Sequence, residues 1–200
     1  MGGPSIARMM ESYGFDYTLI IQREDSWGDG LANSFTQAYN AIGGTVVGAP
    51  IIYPTSTNNF ESYLSTAEQR MIAAQTQYPT KRIGILLLSF DESSKILSEA
   101  FNYPTIYSTI WFGSDGTANN IAILNNSAED ASHVKLFSVV GKAEHGANWG
   151  DVDNYYYSAT GQHLTSFSAY DYDIYWIYAL SVVQAGSANP LQVKTVLPTV

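Results

Sequence analysis

Cysteine is absent from the 200-residue sequence. Its absence excludes disulfide bridges, cysteine-ligated metal sites and thiol nucleophiles together. Long hydrophobic runs are absent too: no stretch of about 18 apolar residues occurs, so the sequence predicts no membrane-spanning helix. No signal peptide is visible, because residues 1–4 contain neither a charged region nor an apolar one. If the protein is secreted, it needs such a leader. We therefore expect the sequence to be part of a longer chain.

Positive charge is scarce. Lysine and arginine together number 9 against 18 acidic residues, which gives a formal net charge of −9. A surface of this sign repels phosphate backbones, so the composition predicts no nucleic-acid partner. The hydrophobic fraction of 46% is nevertheless enough to build a packed core.

The motifs that mark catalytic and metal sites are also missing. The three histidines lie far apart and none stands in an HExxH pattern, and no GxSxG motif occurs. Asp151 and Asp153 resemble the start of a calcium loop, but Tyr156 occupies the position where that loop requires glycine. The sequence therefore predicts neither an enzyme nor a bound metal ion.

A glycine-containing segment, REDSWGDG, follows the first apolar run. Gly28 and Gly30 allow a tight turn into the next helix, whose first turn favours an anion. A dinucleotide fingerprint needs a third glycine where this chain has Asn33, so we expect no nucleotide cofactor.

Short apolar runs alternate with amphipathic stretches along the first 145 residues, an order typical of a parallel sheet with helices on both faces. The fold class is therefore α/β, with three layers, α/β/α, around a central parallel sheet. The last 55 residues differ, since a polar loop leads into a helix predicted at 168–184 and a short one at 191–197. The predicted strands span residues 17–21, 45–52, 83–88, 106–112 and 135–140.

In an open α/β sheet a ligand lies beyond the carboxyl ends of the strands. This rule selects the loops at 23–30, 89–93 and 113–117. Trp27 in the first loop is either a packing anchor for the helix or a platform for a ligand. Ser89 and Phe90, at the end of the third strand, either offer a hydroxyl and a wall to a ligand or pack against the next helix.

Asp115 lies between two glycines directly after a predicted strand. One interpretation is a solvated turn or a helix N-cap. The other is a carboxylate that receives an ammonium group, a charge-assisted contact that is strong in a dry cleft.

Six segments, taken together in their order, resemble the type I periplasmic binding proteins, in the group that binds branched-chain amino acids (leucine, isoleucine and valine). They cover nearly the whole chain and read IIQREDSWGDGLANSF, GGTVV, YPTSTNNFESYL, ILLLSFDESSKILSEA, WFGSDGTAN and YDIYWIYALSVVQAG. The resemblance implies an extracytoplasmic protein of two lobes that closes on an amino acid and delivers it to an ABC permease in the membrane. It implies that residues 1–145 are the second lobe and that 146–200 return to the first.

The resemblance also implies a set of ligand-binding residues. Trp27 corresponds to an aromatic that lines the cleft, Ser89 or Phe90 to another wall, and Asp115 to the acid that holds the ligand's amino group. Phe167 corresponds to an aromatic from the returning segment. The family usually has Tyr and Glu where this chain has Trp27 and Asp115.

Two further expectations follow from the resemblance. A single lobe leaves its ligand largely exposed, so we expect this chain alone to bind its solute weakly or not at all. The apolar helix near its end would lack its usual partner, so we expect a homodimer or a rearranged helix. The alternative function is the ligand-sensing domain of a receptor or regulator on the same fold.

Overall fold

The computed structural model describes residues 2–142 and 145–199. They form two units, Met1–Val140 and Gly141–Val200. The first unit contains the sheet, and the second is helical throughout its regular segments.

The sheet of the first unit has six strands, and every pairing between them is parallel. Its order is β2-β1-β4-β5-β6, with β3 also paired to β1. This arrangement confirms the predicted α/β fold with a central parallel sheet. The strands are β1 (Tyr17–Glu24), β2 (Thr45–Val46), β3 (Ile51–Pro54), β4 (Ile83–Leu88), β5 (Trp111–Gly113) and β6 (Phe137–Ser138).

Helices cover both faces of this sheet. All six residues of β4 are buried, as are five consecutive residues of β1, because each strand is enclosed from two sides. Ile20 and Leu86 point to one face, and Leu19 and Ile85 to the other. The helices of this unit are α1 (Gly2–Ser12), α2 (Ser26–Ala41), α3 (Glu61–Gln77), α4 (Ser93–Ala100), α5 (Pro104–Tyr107), α6 (Ile121–Asn126) and α7 (Ala128–His133).

The two sides of the sheet have separate cores. On one side α1 and α2 pack with Ile20, Leu86 and Phe112. On the other, α3 and α4 pack with Leu19 and Ile85. Burying one such side chain contributes roughly 1.5–3 kcal/mol, so the two cores fix the sheet firmly between its helices.

The prediction of one strand over 45–52 was wrong. The backbone at Gly48 has a φ of +70°, outside the extended range, and it separates β2 from β3. Both short strands pair with β1, one with each half of it.

Two other predicted strands are shorter than expected. Residues 106–112 include the end of α5, which begins with Pro104 at its first position, and only Trp111–Gly113 is strand. Lys135 has a φ of +50°, so the last strand cannot begin there and is reduced to β6.

The second unit contains α8 (Trp149–Thr160), α9 (Ser166–Ala185) and α10 (Pro190–Val196), followed by a 3-10 turn. The predicted helices at 168–184 and 191–197 correspond to α9 and α10. The side chain of Thr165 caps the start of α9, and Gly186 ends it in the left-handed conformation. Among the described residues, no helix is both long and apolar enough to cross a membrane.

Candidate functional site

The carboxyl ends of the parallel strands meet at one edge of the sheet, which we call the carboxyl edge. Arg23 lies at the end of β1, Tyr53 at the end of β3, Ser89 directly after β4 and Ser114 directly after β5. The three loops selected from the sequence therefore lie at the same edge of the first unit.

Asp25 starts α2 at this edge. Its backbone is extended, and its Oδ1 accepts a hydrogen bond from the Gly28 amide at 2.8 Å. Burial alone would raise the pKa of Asp25, but the amide of Gly28 and the guanidinium of Arg23 outweigh it, so this pKa lies below its usual value. A Cβ on Gly28 would stand 2.3 Å from the Arg23 carbonyl oxygen, so this turn requires glycine for a close approach.

Trp27 and Phe90 form an aromatic wall at the carboxyl edge. Their ring centroids are 4.4 Å apart with 33° between the planes. The Arg23 guanidinium lies over the Phe90 ring, 4.4 Å from its centroid. Trp27 is half-buried and Phe90 is 37% exposed, so the wall presents apolar surface.

Arg23 also forms two ion pairs. Its Nε lies 2.5 Å from Asp25 Oδ2, and its Nη1 lies 2.9 Å from Glu92 Oε1. The Tyr53 hydroxyl donates to the same Glu92 oxygen at 3.0 Å. Burial, together with the nearby Glu92 carboxylate, raises the pKa of Tyr53, so this hydroxyl remains a donor.

The GSDG turn after β5 packs against the loop after β4. A Cβ on Gly116 would stand 2.3 Å from the Ser89 carbonyl oxygen and 2.7 Å from a Phe90 ring carbon. Asn120 joins the two loops, since its amide donates to Asp91 Oδ1 at 3.1 Å and to the Gly116 carbonyl at 2.9 Å. Phe90 therefore contacts both Trp27 and this turn.

Asp115 is the central residue of the GSDG turn. Its side chain is partly exposed, and with the described residues it forms no hydrogen bond or ion pair. The neighbouring Ser114 is buried, and its Oγ accepts from the Gly116 amide at 3.2 Å. The Asp115 carboxylate is thus left with free acceptor capacity, on the turn that packs against Phe90.

The five residues selected from the sequence differ in their surroundings. Trp27, Ser89, Phe90 and Asp115 all lie at the carboxyl edge of the first unit. Ser89 is fully buried there, with its hydroxyl 3.4 Å from the Phe90 carbonyl, so its side chain faces protein. Phe167 belongs to the second unit, where it lies in the first turn of α9 and is 50% exposed.

Sequence reasoning missed Arg23, Tyr53, Glu92 and Asn120 at this edge. Each of them lies within a selected loop or within three residues of a selected loop or a predicted strand end. That position is the only feature of the sequence that could have indicated them. The pairing of Arg23 with Glu92 joins residues 69 positions apart, which no local pattern reveals.

A separate groove of about 560 Å³ lies between α2 and the β2–β3 edge. Gln22, Asp29 and Asn33 are among its lining residues, whereas Trp27, Phe90 and Asp115 are not. We place the candidate site at the carboxyl edge, because exposed aromatic surface and a free carboxylate occur together there. Within the described ranges, no three His, Asp or Glu side chains are grouped so as to hold a metal ion.

Comparison with known proteins assigns the chain to a family. The profile described as the receptor family ligand binding region matches residues 1–198. The chain belongs to this family. Solved structures similar to this chain include ABC transporter substrate-binding proteins.

Solved structures share the fold at low sequence identity. The leucine-binding protein LivK of Thermotoga maritima has a TM-score of 0.66 and 16% identity, over 98% of this chain and 53% of its own. The ABC transporter substrate-binding protein of Desulfitobacterium hafniense, solved in complex with Leu, has a TM-score of 0.51 and 20% identity, over 98% and 52%. Identities this low show the fold alone.

A curated relative shows the same partial coverage. The uncharacterised protein MJ1266 of Methanocaldococcus jannaschii is 22% identical over 182 residues, which is 91% of this chain and 42% of that protein. The chain thus spans about half the length, or less, of the relatives it matches. The similar solved proteins are binding proteins of the type I periplasmic fold, which confirms the resemblance read from the sequence.

Proposed function

We propose that this chain is the second ligand-binding lobe of an extracytoplasmic solute-binding protein that serves an ABC transporter. Its solute is an amino acid or a related small amine or amide. The observation that carries the proposal is the Asp115 carboxylate, which has no partner among the described residues and lies at the carboxyl edge with the wall of Trp27 and Phe90. The similarity to the leucine-binding protein LivK and to a substrate-binding protein solved with Leu supports it.

The chemistry of the edge matches two parts of such a solute. An ammonium group donates to the Asp115 carboxylate, a charge-assisted hydrogen bond that is roughly twice as strong as a neutral one. An apolar side chain packs against Trp27 and Phe90, which exclude water from that contact. Neither step changes a covalent bond, so the proposed role is binding, without catalysis.

Phe167 belongs to the second unit, and its proposed role in solute binding rests on the family resemblance alone. In the proposal, residues 146–200 return to the other lobe of the whole protein. The partners of the whole protein are the solute and the membrane permease. Nothing in the proposed role requires a metal ion, a cofactor or nucleic acid.

The alternative function is the ligand-sensing domain of a receptor or regulator, which the family description itself favours. Both functions use the same site, so binding experiments do not separate them. Neighbouring genes that encode a permease and an ATPase would support transport, whereas a neighbouring kinase or regulator gene would support sensing.

A thermal-shift series on this chain tests the proposed binding. The probes are L-leucine, L-leucinamide, which keeps the amine, and N-acetyl-L-leucine, which lacks the ammonium group. At tenfold its dissociation constant a ligand adds about 1.4 kcal/mol, or roughly 3–6 °C in Tm for a chain of this size. We expect stabilisation by the first two probes alone. Equal stabilisation by N-acetyl-L-leucine would contradict amine recognition. No stabilisation of either this chain or the whole two-lobed protein by any amine-bearing probe would contradict the proposal.

A further inference from the structure

Arg23 contacts the aromatic wall at the carboxyl edge through the Phe90 ring. Its side chain is only 15% exposed, although it carries a full charge. We infer that Arg23 is a positioning residue, which fixes Phe90, and through it Trp27, without touching the solute. The inference rests on the proposed function only in that the wall of Trp27 and Phe90 binds a solute. The packing of Arg23 against Phe90 can be measured without a solute.

Three contacts hold the Arg23 guanidinium, one from the start of α2 and two from the loop between β4 and α4. Asp25 accepts its Nε–H at the start of α2, and Glu92 accepts its Nη1–H just before α4. The Phe90 ring covers one of its faces. A planar guanidinium can satisfy two carboxylates in its plane while it stacks on a ring, and a lysine ammonium cannot.

The partners of Arg23 are themselves fixed. Asp25 is held by the Gly28 amide, and Glu92 by the Tyr53 hydroxyl. The loop that carries Phe90 is therefore tied to β3 through Glu92 and to α2 through Arg23. Such a network fixes the ring before any solute arrives, which lowers the entropy cost of binding.

The charge balance of this network assigns it a supporting role. Two carboxylates surround one guanidinium, so the cluster has no positive charge left to attract a solute carboxylate. In the proposed function the solute packs against the exposed surface of Trp27 and Phe90, and the guanidinium is already bound by Asp25 and Glu92. Arg23 therefore acts through Phe90 and not by direct recognition.

The first test measures the Trp27 indole by ¹H–¹⁵N NMR without a solute. Four tryptophans give four indole signals, and Trp27→Phe identifies the one of interest. In Arg23→Met and Arg23→Lys we expect the Trp27 signal to shift and broaden, because Phe90 is released. The buried Trp111, whose indole donates to the Ile106 carbonyl at 2.8 Å, should keep its signal and so report an intact fold.

A matched control comes from the opposite edge of the sheet. The Arg82 guanidinium lies over Phe15 at the same centroid distance, 4.4 Å, so Arg82→Met removes an equivalent stacked charge away from the wall. We expect Arg82→Met to leave the Trp27 signal in place. A Trp27 signal that is unchanged in Arg23→Met would overturn the inference. If Arg23→Met does not fold, the same measurement is made on Glu92→Gln, which removes one partner of Arg23. A shifted Trp27 signal in that variant would support the positioning role of Arg23, and an unshifted signal would overturn it.

The second test separates this inference from the proposed function. L-leucine is titrated into the wild-type chain, Arg23→Met and Arg82→Met. We expect affinity to fall about tenfold in Arg23→Met, on the scale of one lost charge-assisted hydrogen bond, and to stay unchanged in Arg82→Met. If neither this chain nor the whole two-lobed protein binds L-leucine or L-leucinamide, the proposed function fails, while the indole signals still decide the role of Arg23. Equal affinity in the wild type and Arg23→Met would overturn positioning.

Discussion

The backbone of Gly116 lies so close to Ser89 that a Cβ at position 116 would stand 2.3 Å from the Ser89 carbonyl oxygen. This contact seats the turn that carries Asp115 against the loop that carries Phe90. The acidic and aromatic parts of the candidate site are therefore held together by backbone packing between two loops.

Gly116→Ala should push these two loops apart. The new methyl group meets a backbone oxygen, which cannot rotate away, so we expect a loss of roughly 1–3 kcal/mol in the free energy of unfolding, as for other overpacked sites. Urea denaturation measures the change. Gly30→Ala is the matched control, because its methyl group meets nothing within 4 Å and Gly30 lies inside α2. The Gly30→Ala variant should be more stable than the wild type by roughly 0.5–1 kcal/mol. If Gly116→Ala is as stable as Gly30→Ala, the close approach of Gly116 to the Ser89 carbonyl is wrong.

Asp25→Ala should weaken the start of α2. The change removes the acceptor of the Gly28 amide and one partner of Arg23, and loss of an N-cap costs about 0.5–2 kcal/mol. Chemical denaturation at neutral pH gives the value. Glu24→Ala, which removes the same charge from the neighbouring exposed position, should change stability by less than about 0.5 kcal/mol. Equal effects of the two substitutions would rule out the cap.

The Asp25 carboxylate should also make stability depend on pH. Its pKa in the folded chain lies below the ordinary value of 3.8, so the folded state binds its proton less readily than the unfolded state. Its contribution is therefore fully present above about pH 5 and is lost as pH falls below 4 through the folded pKa.

Asp25→Asn isolates this charge effect, because asparagine caps helices as well as aspartate does. The difference in unfolding free energy between the wild type and Asp25→Asn should be constant from about pH 5 to 7 and should shrink below about pH 4. Denaturation curves across that range measure it. A difference that grows toward low pH would have the wrong sign for a lowered pKa.

The central strands could be predicted from the sequence because burial on both faces leaves a continuous apolar run. IGILLL is such a run, and β4 matches it residue for residue. The edge strands could not be predicted as well, because single residues decide where they break. Gly48 divides one predicted strand, and Pro104 converts the start of another into a helix.

The sequence is enough to predict where the candidate site lies. It is not enough to predict the contacts that hold the site residues in place. Parallel strand order alone places Trp27, Phe90 and Asp115 at one edge. The contacts that hold these residues join distant segments, as when Arg23 pairs with Glu92. Such contacts depend on how the loops pack in three dimensions, so composition and spacing carry no trace of them.

An NMR titration of L-leucine tests whether the Asp115 carboxylate receives the ammonium group of the solute. The signals to follow are the Gly116 amide and the Trp27 indole in the wild type, in Asp115→Asn and in Glu24→Gln, which removes a charge elsewhere at the same edge. In the wild type and Glu24→Gln we expect both signals to move and approach saturation in the millimolar range, a binding free energy of about −4 kcal/mol.

In Asp115→Asn the affinity should fall by about 1.5–3 kcal/mol, the scale of a charge-assisted hydrogen bond, so neither signal should approach saturation over the same range. A dissociation constant in Asp115→Asn equal to that of the wild type would contradict the account.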